Sequence, residues 1–169
     1  MRDGPFLFLD IDGVLNSHAY ARKLGKGGIL GIDPEAVKHL QRVVDETGCQ
    51  IVLSSTWRLG PPGTLADVRG KLIAAGMRSP CPLIDRTPDL SRRENAFLYE
   101  AVKRGEEVKH WLDALGYEGP YVCIDDDGDF LPCQPLVRTT FAEGMTAAHA
   151  DQCIAILRGH STVGGDCNG

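Results

Sequence analysis

Three short apolar runs constrain this chain more than anything else in it: FLFLD at residues 6–10, IVLSS at 51–55 and YVCIDDD at 121–127. In each, hydrophobicity is continuous rather than alternating, the pattern of a strand buried on both faces. Amphipathic segments separate them. Asp33, Pro34 and the spacing of Val37, Leu40 and Val44 predict a capped helix that Gly48 closes. TLADVRGKLIAAGM predicts another, with Thr64 as its cap, and GEEVKHWLDALG a third, with Val108, Trp111, Leu112 and Leu115 on one face and Gly116 at its end. LVRTT reads as a further strand and TAAHADQCIAILRG as a final helix. Strands alternating with helices in this way predict an α/β fold, a Rossmann-like parallel sheet with helices on both faces.

Between these elements the reading is weaker. Residues 17–31 form a polar, glycine-rich loop or small flap, whose GKGGILG has the wrong intervals for a dinucleotide fingerprint. GPPG is a breaker, and residues 81–103 predict a short strand at 83–85 and a helical stretch around 94–102. The expected organisation is one domain over residues 1–158 with a flexible tail, GHSTVGGDCNG, over 159–169. No apolar stretch reaches membrane-spanning length, and the N-terminus carries acid directly after its apolar run, unlike a signal peptide, so a cytoplasmic protein is expected. The six cysteines show no C-x-x-C spacing and read as reduced thiols. A net charge of -5 argues against an extended nucleic-acid-binding surface, though not against a small basic patch.

The strand ends carry the chemistry. In a parallel sheet the working site lies beyond the carboxyl ends of the strands. There Asp10, Asp12, Ser54 and the Asp125 to Asp127 cluster converge, although they are far apart in sequence. Carboxylates this close repel one another, and a divalent cation with oxygen ligands neutralises them. One carboxylate can attack phosphorus while a second protonates the leaving oxygen and then activates water; hydroxyls and basic groups hold the remaining phosphate oxygens. Asp127 and Asp129 read as loop acids in good turn chemistry, and Ser55 and Thr56 as caps of the following turn. Arg58 has two readings, a substrate ligand or half of a surface ion pair.

The order D-x-D-G-V-L, then hydrophobic-S-S, then a basic residue opening a helix, then hydrophobic-D-D resembles the haloacid dehalogenase (HAD) superfamily of phosphotransferases over residues 6–127. LSSTWR, RGEEVKHWL, IDDD and LVRTT more specifically resemble the small HAD domain associated with "Swiss army knife" RNA-repair proteins. The resemblance implies a magnesium-dependent phosphomonoesterase with a minimal cap. Asp10 would be its nucleophile and Asp12 its general acid and base. Ser54, with Ser55 beside it, would bind phosphate, and Asp10, Asp12, Asp125 and Asp126 would serve Mg2+. An acid at Asp12 favours phosphoryl transfer over dehalogenation. The phosphate-binding cation is either Arg104, at the predicted helix start, or Lys109, about 7.5 Å further along the axis at 1.5 Å per residue. Expected substrates are a nucleotide, a nucleic-acid 3′-phosphate end or a small metabolite. The rival readings are a phosphoacceptor signalling domain, disfavoured by motif order, and a phosphate-binding module of this fold without turnover.

Overall fold

The computed structural model describes residues 4–25, 31–59, 64–95 and 98–159, with 92–95 and 98–100 described by backbone alone. Five strands form one all-parallel sheet: β1 (Phe6–Leu9), β2 (Gln50–Leu53), β3 (Leu83–Arg86), β6 (Tyr121–Asp125) and β7 (Leu136–Arg138), in the order β3-β2-β1-β6-β7. Continuous hydrophobicity has the predicted consequence. Leu7, Leu9, Ile51, Leu53, Val122 and Ile124 face a core built with α2 (Pro34–Thr47), α3 (Leu65–Ala74) and α5 (Ala147–Leu157). Phe6, Phe8, Val52 and Cys123 face the opposite core, built on α4 (Arg104–Leu115). Trp111 of α4 sits edge-on against both phenylalanines, with ring centroids 5.0 and 5.4 Å away.

Caps fix the helix starts as the sequence indicates. Asp33 accepts from the Glu35 amide, and Thr64 and Asp67 form a reciprocal box at the start of α3. Gly48 and Gly116 close α2 and α4 in the left-handed conformation.

The connections depart from expectation in two places. Residues 18–23, expected in a loop, form a short helix, α1 (His18–Lys23), because the Ser17 hydroxyl caps the Tyr20 amide and Ala21 is buried. Where a helical stretch was expected around 94–102 there is an antiparallel pair, β4 (Arg92–Asn95) with β5 (Leu98–Glu100). The apolar run here is too short for periodicity to separate strand from helix, and a two-stranded ladder satisfies the backbone. The glycine stretch at 26–30, the breaker at 60–63 and the tail from 160 onward lie outside the described residues.

Cys49, Cys81, Cys123 and Cys153 are free thiols, but Cys133 is disulfide-bonded, correcting the reading of all six as reduced. Among the described residues no helix is long and apolar enough to cross a membrane.

Candidate active site

Strand register builds the site. Leu9 pairs with Leu53 on one side and Ile124 on the other. The next residues, Asp10, Ser54 and Asp125, therefore lie abreast where β1, β2 and β6 end. The ladder continues through them: the Asp10 amide donates to Ile124 O at 3.1 Å and the Ser54 amide to Leu9 O at 2.9 Å. Chain order reverses between β1 and β6, the switch point where open α/β sheets hold their ligands.

Asp10, Asp125 and Asp126 each offer a carboxylate oxygen, and the three atoms lie within 4.8 Å of one another. Asp10 and Asp125 are buried. Burial pushes the Asp10 carboxyl up to about 6 against the opposing pull of Arg104, and burial together with the Asp10 charge pushes Asp125 up to about 7. Burial raises Asp126 as well. Asp126 comes this close because residue 13 has no side chain. A Cβ built on Gly13 would stand 2.5 Å from Asp126 Cγ, and the backbone there has φ 76°, a conformation that favours glycine.

The cluster fits a hard divalent cation. Three carboxylates converge, and Asp125 Oδ2 is buried without a hydrogen-bond partner in the protein. Asp12 is expected to meet the metal through its main-chain carbonyl, which leaves its carboxylate free for other contacts. That carboxylate accepts from Asn16 Nδ2 at 2.7 Å and from Trp57 Nε1 at 3.2 and 3.1 Å. Asn16 Oδ1 also accepts from the Gly13 amide, and Thr139 Oγ1 donates to Gly13 O at 2.7 Å, so the turn after Asp12 is held from both sides.

Of the two candidate cations, Arg104 reaches the cluster. Its Nη1 is 3.8 Å from Asp10 Oδ1 and its Nε 3.7 Å from Asp125 Oδ2. Lys109 does not; its ammonium is on the exposed side of α4, bonded to Asp113 at 2.7 Å. Close packing fixes the start of α4. Gly105 lies so near the 130–131 backbone that a Cβ would meet Leu131 N at 2.6 Å, Gln134 Nε2 donates to Gly105 O, and Asp129 receives both the Arg104 and Gly105 amides. Asp129, expected as a loop acid, thus holds the helix that presents Arg104.

Ser55 does more than cap a turn: its hydroxyl accepts from the Trp57 amide and also hydrogen-bonds the Asp10 carboxylate. The Ser54 hydroxyl is fully buried and has no hydrogen-bond partner in the protein. Arg58 is not on the surface. It is paired with Glu107 of α4, both side chains 4% exposed, and its Nη1 donates to the Ser54 and Ser55 carbonyls at 3.2 and 3.0 Å. The ion pair therefore lies beneath the hydroxyl loop rather than in solvent.

A family model for the HAD domain in Swiss Army Knife RNA repair proteins matches residues 6–150, from the first residue of β1 into α5. The chain belongs to this HAD family. No curated protein and no solved structure matches it. HAD domains are usually phosphohydrolases, and the match spans every strand-end residue described above.

One consequence for this HAD domain is a pH-dependent stability in chelator. Asp10 and Asp125 have pKa values raised from 3.8 when folded, so their contribution is full below about pH 4 and is lost as pH rises through about 6 and 7. Without metal, this term is expected to lower stability between pH 5 and 7.5 by on the order of a few kcal/mol, read as a fall in the thermal midpoint. Magnesium at pH 7.5 should restore it by binding only the folded state. Asp125→Asn should flatten the pH dependence in chelator and weaken the magnesium effect; an unchanged slope would exclude the cluster as its source.

Proposed function

We propose that this HAD domain is a magnesium-dependent phosphomonoesterase acting on nucleic-acid ends that carry a 3′-phosphate. One observation carries the reading: Asp10 lies among three buried groups that lack hydrogen-bond partners in the protein, Ser54 Oγ, Arg104 Nη1 and Asp125 Oδ2. Buried polar atoms of this kind are costly when unpaired, and their types are complementary to a phosphoryl group and its counter-ion: two donors for anionic oxygens and one acceptor for a cation. The family match supports the substrate class, since its domain occurs in RNA repair proteins.

In the reading we favour, the Asp10 carboxylate attacks phosphorus and forms an O–P bond as the ester P–O bond breaks. Asp12, two residues on, gives a proton to the departing oxygen. Asp12 then takes a proton from water, whose oxygen displaces the Asp10 carboxylate and releases inorganic phosphate. Arg104 and Ser54 bind the phosphoryl oxygens, Arg104 through a charge already placed beside Asp10. Asn16 and Trp57 fix the orientation of the Asp12 carboxylate. Magnesium held by Asp10, Asp125 and Asp126 would supply Lewis acidity and offset the repulsion between carboxylate and phosphate.

Phosphate release from 3′- and 5′-phosphorylated oligoribonucleotides, uridine monophosphates and p-nitrophenyl phosphate, with magnesium or chelator, tests this. Turnover is expected in magnesium alone, with the 3′-phosphorylated end preferred at least about tenfold, roughly 1.4 kcal/mol. Phosphate binding without hydrolysis of any ester would establish a binding module instead; a preference for 5′ ends would overturn the substrate assignment.

A further inference from the structure

We infer that the cleft behind Trp57 receives the nucleoside on the leaving side of the scissile bond, with Lys71 meeting the next phosphodiester; this rests on the phosphatase reading above. The acid that protonates a leaving oxygen marks the side on which the leaving group departs. Here that acid is Asp12, and the group against it is the Trp57 indole, whose Nε1 is 3.2 and 3.1 Å from its two carboxylate oxygens. The same indole forms one wall of a cleft of about 420 Å³. Tyr20, Ile32, Lys71, Ala74 and Ala75 supply other parts of its lining. That volume is within the roughly 300–1,000 Å³ of small-ligand sites.

Its chemistry suits a nucleoside. Two aromatic side chains and small apolar groups offer stacking and contact surface without a demand for one base, which is how single-stranded ends are held with little sequence preference. Trp57 is half-buried, packed on the core and bonded to Asp12, so its position is fixed relative to the reacting centre. Lys71 Nζ lies 4.8 Å from the Trp57 ring centroid, which puts a positive charge at the aromatic wall of the cleft. A mononucleotide has no further phosphate for that charge to meet, whereas a chain end has one. The cleft thus joins a general nucleoside preference to a specific preference for polynucleotide ends.

The test compares native protein with Ala74→Glu and Lys71→Ala, both exposed positions on α3. kcat/KM is measured for p-nitrophenyl phosphate, uridine 3′-phosphate and 3′-phosphorylated diuridylate, and binding of unphosphorylated UpU is followed by tryptophan fluorescence quenching. Ala74→Glu is expected to lower both nucleotide values about tenfold relative to the aryl phosphate, mostly through KM. Lys71→Ala should lower the dinucleotide value alone, by about fivefold, and both variants should weaken UpU quenching. Ratios that move less than twofold in both variants, with quenching unchanged, would overturn the proposal. Absence of hydrolysis by native protein would remove the phosphatase reading only. UpU quenching that Ala74→Glu abolishes would still establish the cleft, and absence of quenching in native protein would sink it.

Discussion

Asp10→Asn is expected to lower turnover of every phosphate ester at least about 10³-fold while leaving the protein folded and, in chelator at pH 8, more heat-stable than native. The two effects have one physical origin. Asp10 is 5% exposed, and its removal from water raises its carboxyl to about 6, so at pH 8 the native protein holds an ionised group that burial disfavours. Arg104, 3.8 Å away, offsets part of that cost and does not cancel it. An amide of the same shape removes the buried charge and also the oxygen proposed to attack phosphorus. Loss of activity with a raised thermal midpoint is therefore the signature of a functional group kept at a cost in stability. Activity above about one-tenth of native would show that Asp10 is not the nucleophile. A lowered midpoint would show instead that its pairing with Arg104 outweighs its burial.

The same residue illustrates how much of the site is legible in the sequence alone. Apolar runs ending in acids or hydroxyls define which strands are central and which ends carry chemistry, and parallel register then forces Asp10, Ser54 and Asp125 abreast. Arg104 and Lys109 stayed alternatives in the sequence, and only the contacts of Arg104 with Asp10 and Asp125 bring one of them to the cluster. What escaped depends on contacts between residues remote in the chain. Trp57 reaches Asp12 across 45 positions, and Arg58 reaches Glu107 across 49. Glu107 resembles any acid in the first turn of a helix, and only its burial reveals a partner. The β4 and β5 pair escaped for a different reason: its apolar residues are clustered, and such short runs do not distinguish strand from helix. Gly105 could have been found earlier, because a glycine in the first turn of a helix has a cost that close packing explains.

Glu107→Ala is expected to destabilise the fold by roughly 3–5 kcal/mol, because it leaves the Arg58 guanidinium buried without its carboxylate. For a chain of this length that corresponds to a fall in Tm on the order of 10 °C. Both side chains are 4% exposed, so water cannot replace the lost partner. Burial already disfavours the charged form of Arg58, and Glu107 opposes that effect. Glu107 also accepts from the Leu90 amide at 3.2 Å, so its removal leaves a second donor without its partner in the stretch between β3 and β4. Replacing both members, Arg58→Met with Glu107→Leu, should recover most of the stability, since a buried pair exchanged for apolar groups of similar volume is near neutral. Activity should not recover in parallel. Arg58 Nη1 donates to the Ser54 and Ser55 carbonyls, and no apolar side chain can hold the loop that brings the Ser55 hydroxyl to Asp10. A double variant with native stability and reduced kcat would identify Arg58 as a positioning residue; restoration of both would show that the pair serves the fold alone.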